Sequence, residues 1–217
     1  MYRLHCFGQS GNSFKVAFAL RAMGQPFDTV FVDYFNGVTR EGQWRDSHND
    51  MGEAPVLDDG ARRLSQSGAI LLYLAQKHGM FGGSTEEERH DILRWILFDN
   101  HKFTSYFATY RFAISFGASA PDPVVMAWLK SRIDAAYSVV NTHLATRDYL
   151  VGESPTIADF SLSAYLFYPI EESGFDVATT YPHSASWVER LRQVPGWAPP
   201  YEVMPGERLA PRWSAGQ

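Results

Sequence analysis

The chain has 217 residues, of which 45% are hydrophobic and 15% aromatic, and its 19 basic and 24 acidic side chains give a net charge of -5. A chain of this length buries roughly 70% of its unfolded surface, so we expect one or two globular domains and exclude an intrinsically disordered protein. The mildly acidic balance, without a run of lysine or arginine, argues against nucleic acid and anionic lipid as partners.

Cysteine and histidine usage restricts the chemistry further. Cys6 is the single cysteine, which excludes an internal disulfide, a CxxC redox pair and a thiolate zinc cluster. The seven histidines are too scattered for metal-ligand spacing, so we predict no metal. The N-terminus lacks the layout of a signal peptide, and no apolar run approaches the roughly 20 residues that span a bilayer. We therefore expect a cytoplasmic protein without a membrane partner.

The first third of the chain alternates between strand and helix patterns. Residues 2–6 predict a strand, which a Gly- and Ser-containing turn connects to a helix that ends near Gly24. Residues 28–32 predict a second strand, which makes a β-α-β opening. A polar loop over 33–53 precedes a hairpin with an Asp-Gly turn at Asp59-Gly60. A helix over 67–78 follows, so residues 1–80 form the first predicted domain.

After a linker over 81–86 the pattern is helical throughout. The first predicted helix covers about 86–116, and a second begins after Pro121 and Pro123. A third covers 156–171 and a fourth covers 184–193. The chain from Pro195 onward is predicted to be irregular. Residues 87–217 therefore form a second, all-helical domain.

Three short segments carry residues suited to binding a ligand. The turn Gln9-Ser10-Gly11-Asn12-Ser13 joins a strand to a helix N-terminus, whose unpaired N–H groups stabilise anions, although Ser and Asn are also ordinary N-cap residues. Pro55 enters a strand, where an edge-strand turn is favoured over a cis bond. A cis bond would leave the backbone of Ala54 free to pair with an extended peptide. Ser67 is a predicted N-cap, and with Gln66 it could hold a carboxylate.

The order of these segments resembles the cytosolic glutathione S-transferase family over nearly the whole chain. The resemblance is carried by SGNSFKV after the first strand, GEAPVL with its proline, LSQSGAILLYL at the third helix and GESPTIADFSLSAY in the helical half. In the last motif Thr156 and Asp159 would form a capping box, with Pro155 and Phe160 at the staple positions. The resemblance implies a thioredoxin-like α/β domain followed by an all-α helical domain, in a homodimer.

The resemblance also implies a glutathione site. Ser10 matches the activating serine of the theta- and delta-like classes, with Asn12 as an alternative, and Ser13 matches the last position of the ancestral CxxC pattern. For glutathione binding, the implied residues are Arg40, Glu53, Ala54, Pro55, Gln66 and Ser67. Thr39 lies in the same part of the loop as Arg40, and Arg40 could pair bidentately with the glycyl carboxylate. Gln66 replaces the family's usual glutamate and loses a negative charge there. Glutathione is then a co-substrate, and no resident cofactor is expected.

The implied activity is attack by the glutathione thiolate on a small hydrophobic electrophile. Candidate walls of the electrophile pocket are Phe98, His101, Tyr106 and Tyr110, although each of these aromatic residues could instead pack the helical core. Two alternatives stay open from the sequence. One is a glutathione-dependent disulfide reductase or peroxidase, and the other is a non-catalytic protein of this fold that binds ligands or partners.

Overall fold

A computed structural model describes residues 1–213. The chain forms two compact units. The first comprises Met1–Gly82 and Val194–Arg208, and the second comprises Gly83–Gln193 and the chain from Leu209. The predicted helical domain, 87–217, included Val194–Arg208, a segment that the structure places with the first unit. Within residues 1–213 no helix is both long and apolar enough to cross a membrane.

The first unit is built on a mixed sheet. Its strands are β1 (Tyr2–Cys6), β2 (Phe27–Phe31), β3 (Val56–Asp59) and β4 (Arg62–Ser65). They lie in the order β2-β1-β3-β4, with β1 parallel to β2 and every other pair antiparallel. Leu4 lies opposite Leu57 in the central pair, and both are fully buried. The predicted strands and hairpin are confirmed.

Three helices belong to the same stretch of chain: α1 (Gly11–Ala22), α2 (Gly42–Ser47) and α3 (Ser67–His78). α1 and α3 pack against each other, and their buried residues include Phe14, Phe18, Ile70 and Leu71. The predicted loop over 33–53 contains a 3-10 turn, Val38–Arg40, and the short helix α2, which buries Trp44. Packing of these helices with the sheet holds in place the strand ends and helix N-termini that carry the candidate site.

The second unit is helical within the described residues. Its helices are α4 (Glu86–Phe98), α5 (Thr104–Ser115), α6 (Pro123–His143), α7 (Ile157–Ser163), α8 (Val177–Thr180) and α9 (Pro182–Leu191). The predicted single helix over 86–116 is wrong in one respect, because a π-helical segment, Asp99–Phe103, separates α4 from α5. The fully buried carboxylate of Asp99 accepts hydrogen bonds there from Thr104 and Ser161.

The third predicted helix, 156–171, is shorter than expected. α7 ends at Ser163, and 3-10 turns follow at Ala164–Phe167 and Ile170–Glu172. Pro169 separates the two turns and has no N–H to continue a helix. The capping box is confirmed: Thr156 is the N-cap of α7 and the Asp159 side chain accepts from its backbone N–H.

The segment Val194–Arg208, called the strap below, returns to the first unit. It contains one short helix, α10 (Pro200–Val203), and buries Val194, Pro200 and Met204. α10 packs against α1. The strap therefore completes a unit whose sheet is formed by the first third of the chain.

Candidate functional site

Ser10 lies at the junction of β1 and α1, as predicted, and is the N-cap of α1. Its Oγ accepts a hydrogen bond from the backbone N–H of Ser13 at 3.1 Å. This bond uses a lone pair of the hydroxyl and leaves its proton available, and no acceptor for that proton lies within residues 1–213. Ser10 can therefore donate to an anion at the positive end of α1.

Asn12 connects the first turns of two helices. The hydroxyl of Ser67, the first residue of α3, donates to Asn12 Oδ1 over 3.3 Å. With its oxygen engaged, the half-buried Asn12 presents its amide N–H groups as donors. Ser13 is fully buried, and its Oγ has no hydrogen-bond partner in the described part of the chain. The structure thus brings Asn12 and Ser67 together and directs Ser13 into the interior.

The peptide bond between Ala54 and Pro55 is cis, so the favoured edge-strand turn is wrong. β3 begins at Val56 and pairs with β1 on one side and β4 on the other. Pro55 lies just outside this ladder, where its missing N–H removes no strand pairing. Gly52, with φ of 68°, allows the loop to pass close to the Thr39 carbonyl.

Gln66 departs from the sequence prediction, because it, and not Ser67, is the N-cap of α3, and its side chain makes no capping bond. Its φ is 67° and its ψ is 109°, a sparsely populated backbone conformation that costs a non-glycine residue of order 1 to 3 kcal/mol and is typical of ligand sites. The side-chain amide of Gln66 donates to the Glu53 carboxylate and lies 3.3 Å from Met51 Sδ. A negative charge therefore lies beside the neutral Gln66.

Arg40 ends the 3-10 turn that precedes α2 and is exposed. Its guanidinium has no carboxylate partner among residues 1–213, so it is available to an anionic ligand. No group of three or more His, Cys, Asp or Glu side chains in this range is arranged to hold a metal ion. Cys6 lies inside β1, and burial raises the pKa of its thiol to about 12. That thiol is not a nucleophile at neutral pH.

The four candidate pocket residues all lie in the second unit. Phe98 is half-buried and packs edge-on against Trp95, while His101 is exposed on the π-helical segment. Tyr106 contacts Trp128 edge-on. Tyr110 is buried against Phe175, and burial raises its pKa. Tyr110 thus packs inside the helical unit, whereas His101 and Tyr106 retain exposed surface.

Two features of the site were not visible in the sequence. One is the bond between Gln66 and Glu53, which are 13 positions apart. The other is the approach of the strap to the residues before Ser10, where Gly8 N–H donates to Pro205 O at 2.8 Å. No local pattern signals either contact, because both depend on how loops meet in space.

The sequence matches two family models. The glutathione S-transferase N-terminal domain model matches residues 2–76, and the C-terminal domain model matches residues 105–195. The first model covers the sheet and its helices and the second covers most of the helical unit, which confirms the predicted thioredoxin-like domain followed by a helical domain.

Individual relatives span almost the whole chain. The crystal structure of a glutathione S-transferase from Xanthobacter autotrophicus Py2 is 32% identical, with 93% of this chain and 98% of that chain covered and a TM-score of 0.83. Glutathione S-transferase F14 of Arabidopsis thaliana is 28% identical over 205 residues, which are 90% of this chain and 80% of the plant protein. Glutathione transferase URE2P8 of Phanerochaete chrysosporium, solved with oxidized glutathione, shares the fold at 22% identity, with a TM-score of 0.83 and 93% of both chains covered. The chain belongs to the glutathione S-transferase family.

Proposed function

We propose that the protein is a glutathione transferase, which binds glutathione on its first unit and activates the thiol at the first turn of α1. The observation that carries this proposal is the pair of donors at that turn. Ser10 caps the helix while keeping its hydroxyl proton, and Asn12, two residues further along the same turn of α1, has its side-chain oxygen engaged by Ser67 and keeps its amide N–H groups as donors. Both point to a negatively charged atom as the ligand.

The chemistry depends on ionisation of the thiol. A free thiol has a pKa of about 8.5, so roughly 3% is thiolate at pH 7, and the thiolate is the nucleophile. Lowering that pKa by about two units takes roughly 2.7 kcal/mol and increases the thiolate fraction about twentyfold. One hydrogen bond to a charged group together with the field of a helix N-terminus supplies this amount. Ser10 then acts as a donor to sulfur and removes no proton itself.

The remaining candidate residues fit the rest of glutathione. The Glu53 carboxylate beside Gln66 can receive the γ-glutamyl amino group, and Ser67 with the N–H groups of α3 can receive the γ-glutamyl carboxylate. The backbone of Ala54, before the cis bond, can pair with the cysteinyl residue as a strand would. Arg40 is then the partner of the glycyl carboxylate.

We assign the activating role to Ser10, which would make this a serine-type enzyme of the theta- and delta-like kind, with Asn12 as the alternative. The second substrate is a small hydrophobic electrophile, held by Phe98, His101, Tyr106 and Tyr110. Glutathione is a co-substrate and the enzyme needs no resident cofactor. The enzyme is expected in the cytoplasm as a homodimer.

The test is the ultraviolet absorbance of the thiolate, titrated against pH with glutathione bound to wild type, Ser10→Ala and Asn12→Ala. Ser131→Ala serves as the control, since Ser131 is exposed and donates only to the Trp128 carbonyl within α6. We expect wild type and Ser131→Ala to lower the thiol pKa and Ser10→Ala to return it toward 8.5, with turnover falling more than about tenfold. If the thiol pKa returns toward 8.5 only in Asn12→Ala, the activating residue is Asn12.

Two further outcomes separate the alternatives. Binding of glutathione without a lowered pKa would refute thiol activation and indicate a binding protein of this fold. A lowered pKa with turnover of a glutathione mixed disulfide, and none of an aromatic electrophile, would indicate a reductase. Because Cys6 is buried with a pKa of about 12, that reductase would use two glutathione molecules in turn.

A further inference from the structure

The strap runs along α1 from one end of the helix to the other. At its start, the Gly196 carbonyl accepts from Arg21 Nε near the C-terminus of α1 at 2.6 Å. A Cβ on Gly196, which has φ of 88°, would lie 2.6 Å from the Arg21 carbonyl oxygen. A Cβ cannot be accommodated this close to a backbone atom. Because Gly196 has no side chain, the strap can lie against the end of α1.

At its other end, the strap reaches the turn between β1 and α1. Gly8 N–H donates to Pro205 O at 2.8 Å, and Gln9 Nε2 donates to Glu207 O at 2.6 Å. Between these residues, Gly206 has φ of 103°, and a Cβ there would lie 2.7 Å from Phe31 of β2. Hydrogen bonds from Gly8 and Gln9 therefore fix the strap to the turn on either side of a glycine at which any side chain, even that of alanine, would be strained.

The same turn carries Ser10. Ser10 N–H donates to Phe7 O at 3.1 Å, so residues 7–10 form a single hydrogen-bonded turn. Gln9, one of its two central residues, is only 5% exposed, and its side chain points into the strap. The ring of Tyr201 covers Gly8, where an added Cβ would lie 3.2 Å from Cδ1. A shift of the strap would thus move the residue directly before Ser10.

We propose that Gln9 is a positioning residue for thiol activation and that the strap, through it, sets the position of Ser10. This inference rests on the proposed function. In this role Gln9 does not contact the substrate. Its amide donates to the Glu207 carbonyl and holds the turn, so that the Ser10 hydroxyl stays directed at the sulfur of glutathione. Activation at the N-terminal end of the sequence then depends on a segment about 200 positions away along the chain.

The experiment compares Gln9→Met, which keeps the length of the side chain and removes the donor, with Gln25→Met. Gln25 is the matched control because its Nε2 also donates to a backbone carbonyl of the first unit, that of Met23, at 3.0 Å. Gly206→Ala perturbs the strap from its own side. In each full-length variant we would measure the pKa of bound glutathione by thiolate absorbance, the affinity for glutathione and the hydrogen exchange of the Gly8 amide.

We expect Gln9→Met and Gly206→Ala to raise the pKa of the bound thiol by about one unit, which lowers the thiolate fraction below that pKa about tenfold. We expect the affinity for glutathione to change little, since the residues proposed to bind the rest of glutathione lie on other loops. Gly8 exchange becomes faster in both variants, and Gln25→Met behaves as wild type. A role limited to stability would lower the melting temperature and leave the thiol pKa of the folded variants unchanged.

An unchanged thiol pKa in Gln9→Met, beside a lowered pKa in wild type, would overturn the inference and leave the proposed function intact. An unshifted pKa in wild type would overturn both. Should Gly206→Ala fail to fold, Gln9→Met alone decides the outcome.

Discussion

Asp159 offers a test of how the second unit is held together, because its carboxylate is the acceptor for four buried donors. Oδ1 accepts from the Leu150 backbone N–H and from the Trp187 indole N–H, both at 2.9 Å. Oδ2 accepts from the backbone N–H and the hydroxyl of Thr156, at 2.8 and 3.0 Å. Asp159 thereby joins the N-terminus of α7 to α9 and to the loop before α7.

The magnitude follows from the donors that lose their acceptor. Alanine at this position leaves three buried N–H groups unpaired, and each costs about 1 to 3 kcal/mol, so we expect a loss of roughly 3 to 9 kcal/mol. Asparagine keeps one oxygen for Leu150 and Trp187 but turns its NH2 group toward the Thr156 N–H, which loses its acceptor. We expect Asp159→Asn to lose about 1 to 3 kcal/mol. Domains have about 5 to 15 kcal/mol in total, so Asp159→Ala approaches complete unfolding.

The assay is urea denaturation followed by circular dichroism, with hydrogen exchange at the Leu150 and Thr156 amides to report on this unit alone. Asp122→Asn is the control. Asp122 is the exposed N-cap of α6 and accepts from two backbone N–H groups, a role that asparagine fills equally well. The reasoning is refuted if Asp159→Asn is as stable as Asp122→Asn, or if the alanine variant at position 159 is no less stable than the asparagine variant.

Three further predictions concern buried or paired side chains. Glu172→Gln removes the charge of the buried carboxylate that pairs with the buried guanidinium of Arg111, so we expect about 3 to 5 kcal/mol of lost stability in urea denaturation. Hydrogen bonds from Arg63 and His5 lower the pKa of Asp58 from 3.8 to about 2. This lowered pKa contributes at most roughly 2.5 kcal/mol to the free energy of unfolding; the contribution is present above pH 4 and is lost as pH falls through 2. Asp58→Asn should flatten this pH dependence of the unfolding free energy. Cys6 should resist iodoacetamide in the folded protein and react only in urea, as measured by mass spectrometry.

Elements with strong local signals could be predicted from the sequence. The hairpin between β3 and β4 lies where the sequence predicts it, but its two turn residues are Gly60 and Ala61, because Asp59 ends β3 and pairs with Arg62. Gly60, with φ of 61°, supplies the positive φ that a tight hairpin needs. Thr156 and Asp159 form the expected capping box, since the three-residue spacing alone brings the side chain back to the cap. Pro123 begins α6 as its first residue, the position that tolerates a missing N–H.

Features that depend on distant parts of the chain could not be predicted. The π-helical segment after Phe98 coincides with burial of Asp99 against Ser161, a residue 62 positions away. The positive φ of Gln66 has no local sequence signal, and the carboxylate beside it comes from Glu53 on another loop. The segments that carry the candidate site could therefore be located from the sequence, whereas the contacts within the site depend on the folded chain, and the roles of its residues stay predictions.

The return of the strap to the first unit also has a consequence for the order of folding. Gln9 and Glu207, which share a hydrogen bond, are 198 positions apart, and the Gly83–Gln193 part of the helical unit is encoded between them. A ribosome releases the sheet and α1 long before it releases the strap, and closing so long a loop is entropically slow. The nascent first unit therefore passes through a stage in which the surface of α1 that packs against α10 is uncovered, and it reaches its final form only after the strap has been synthesised.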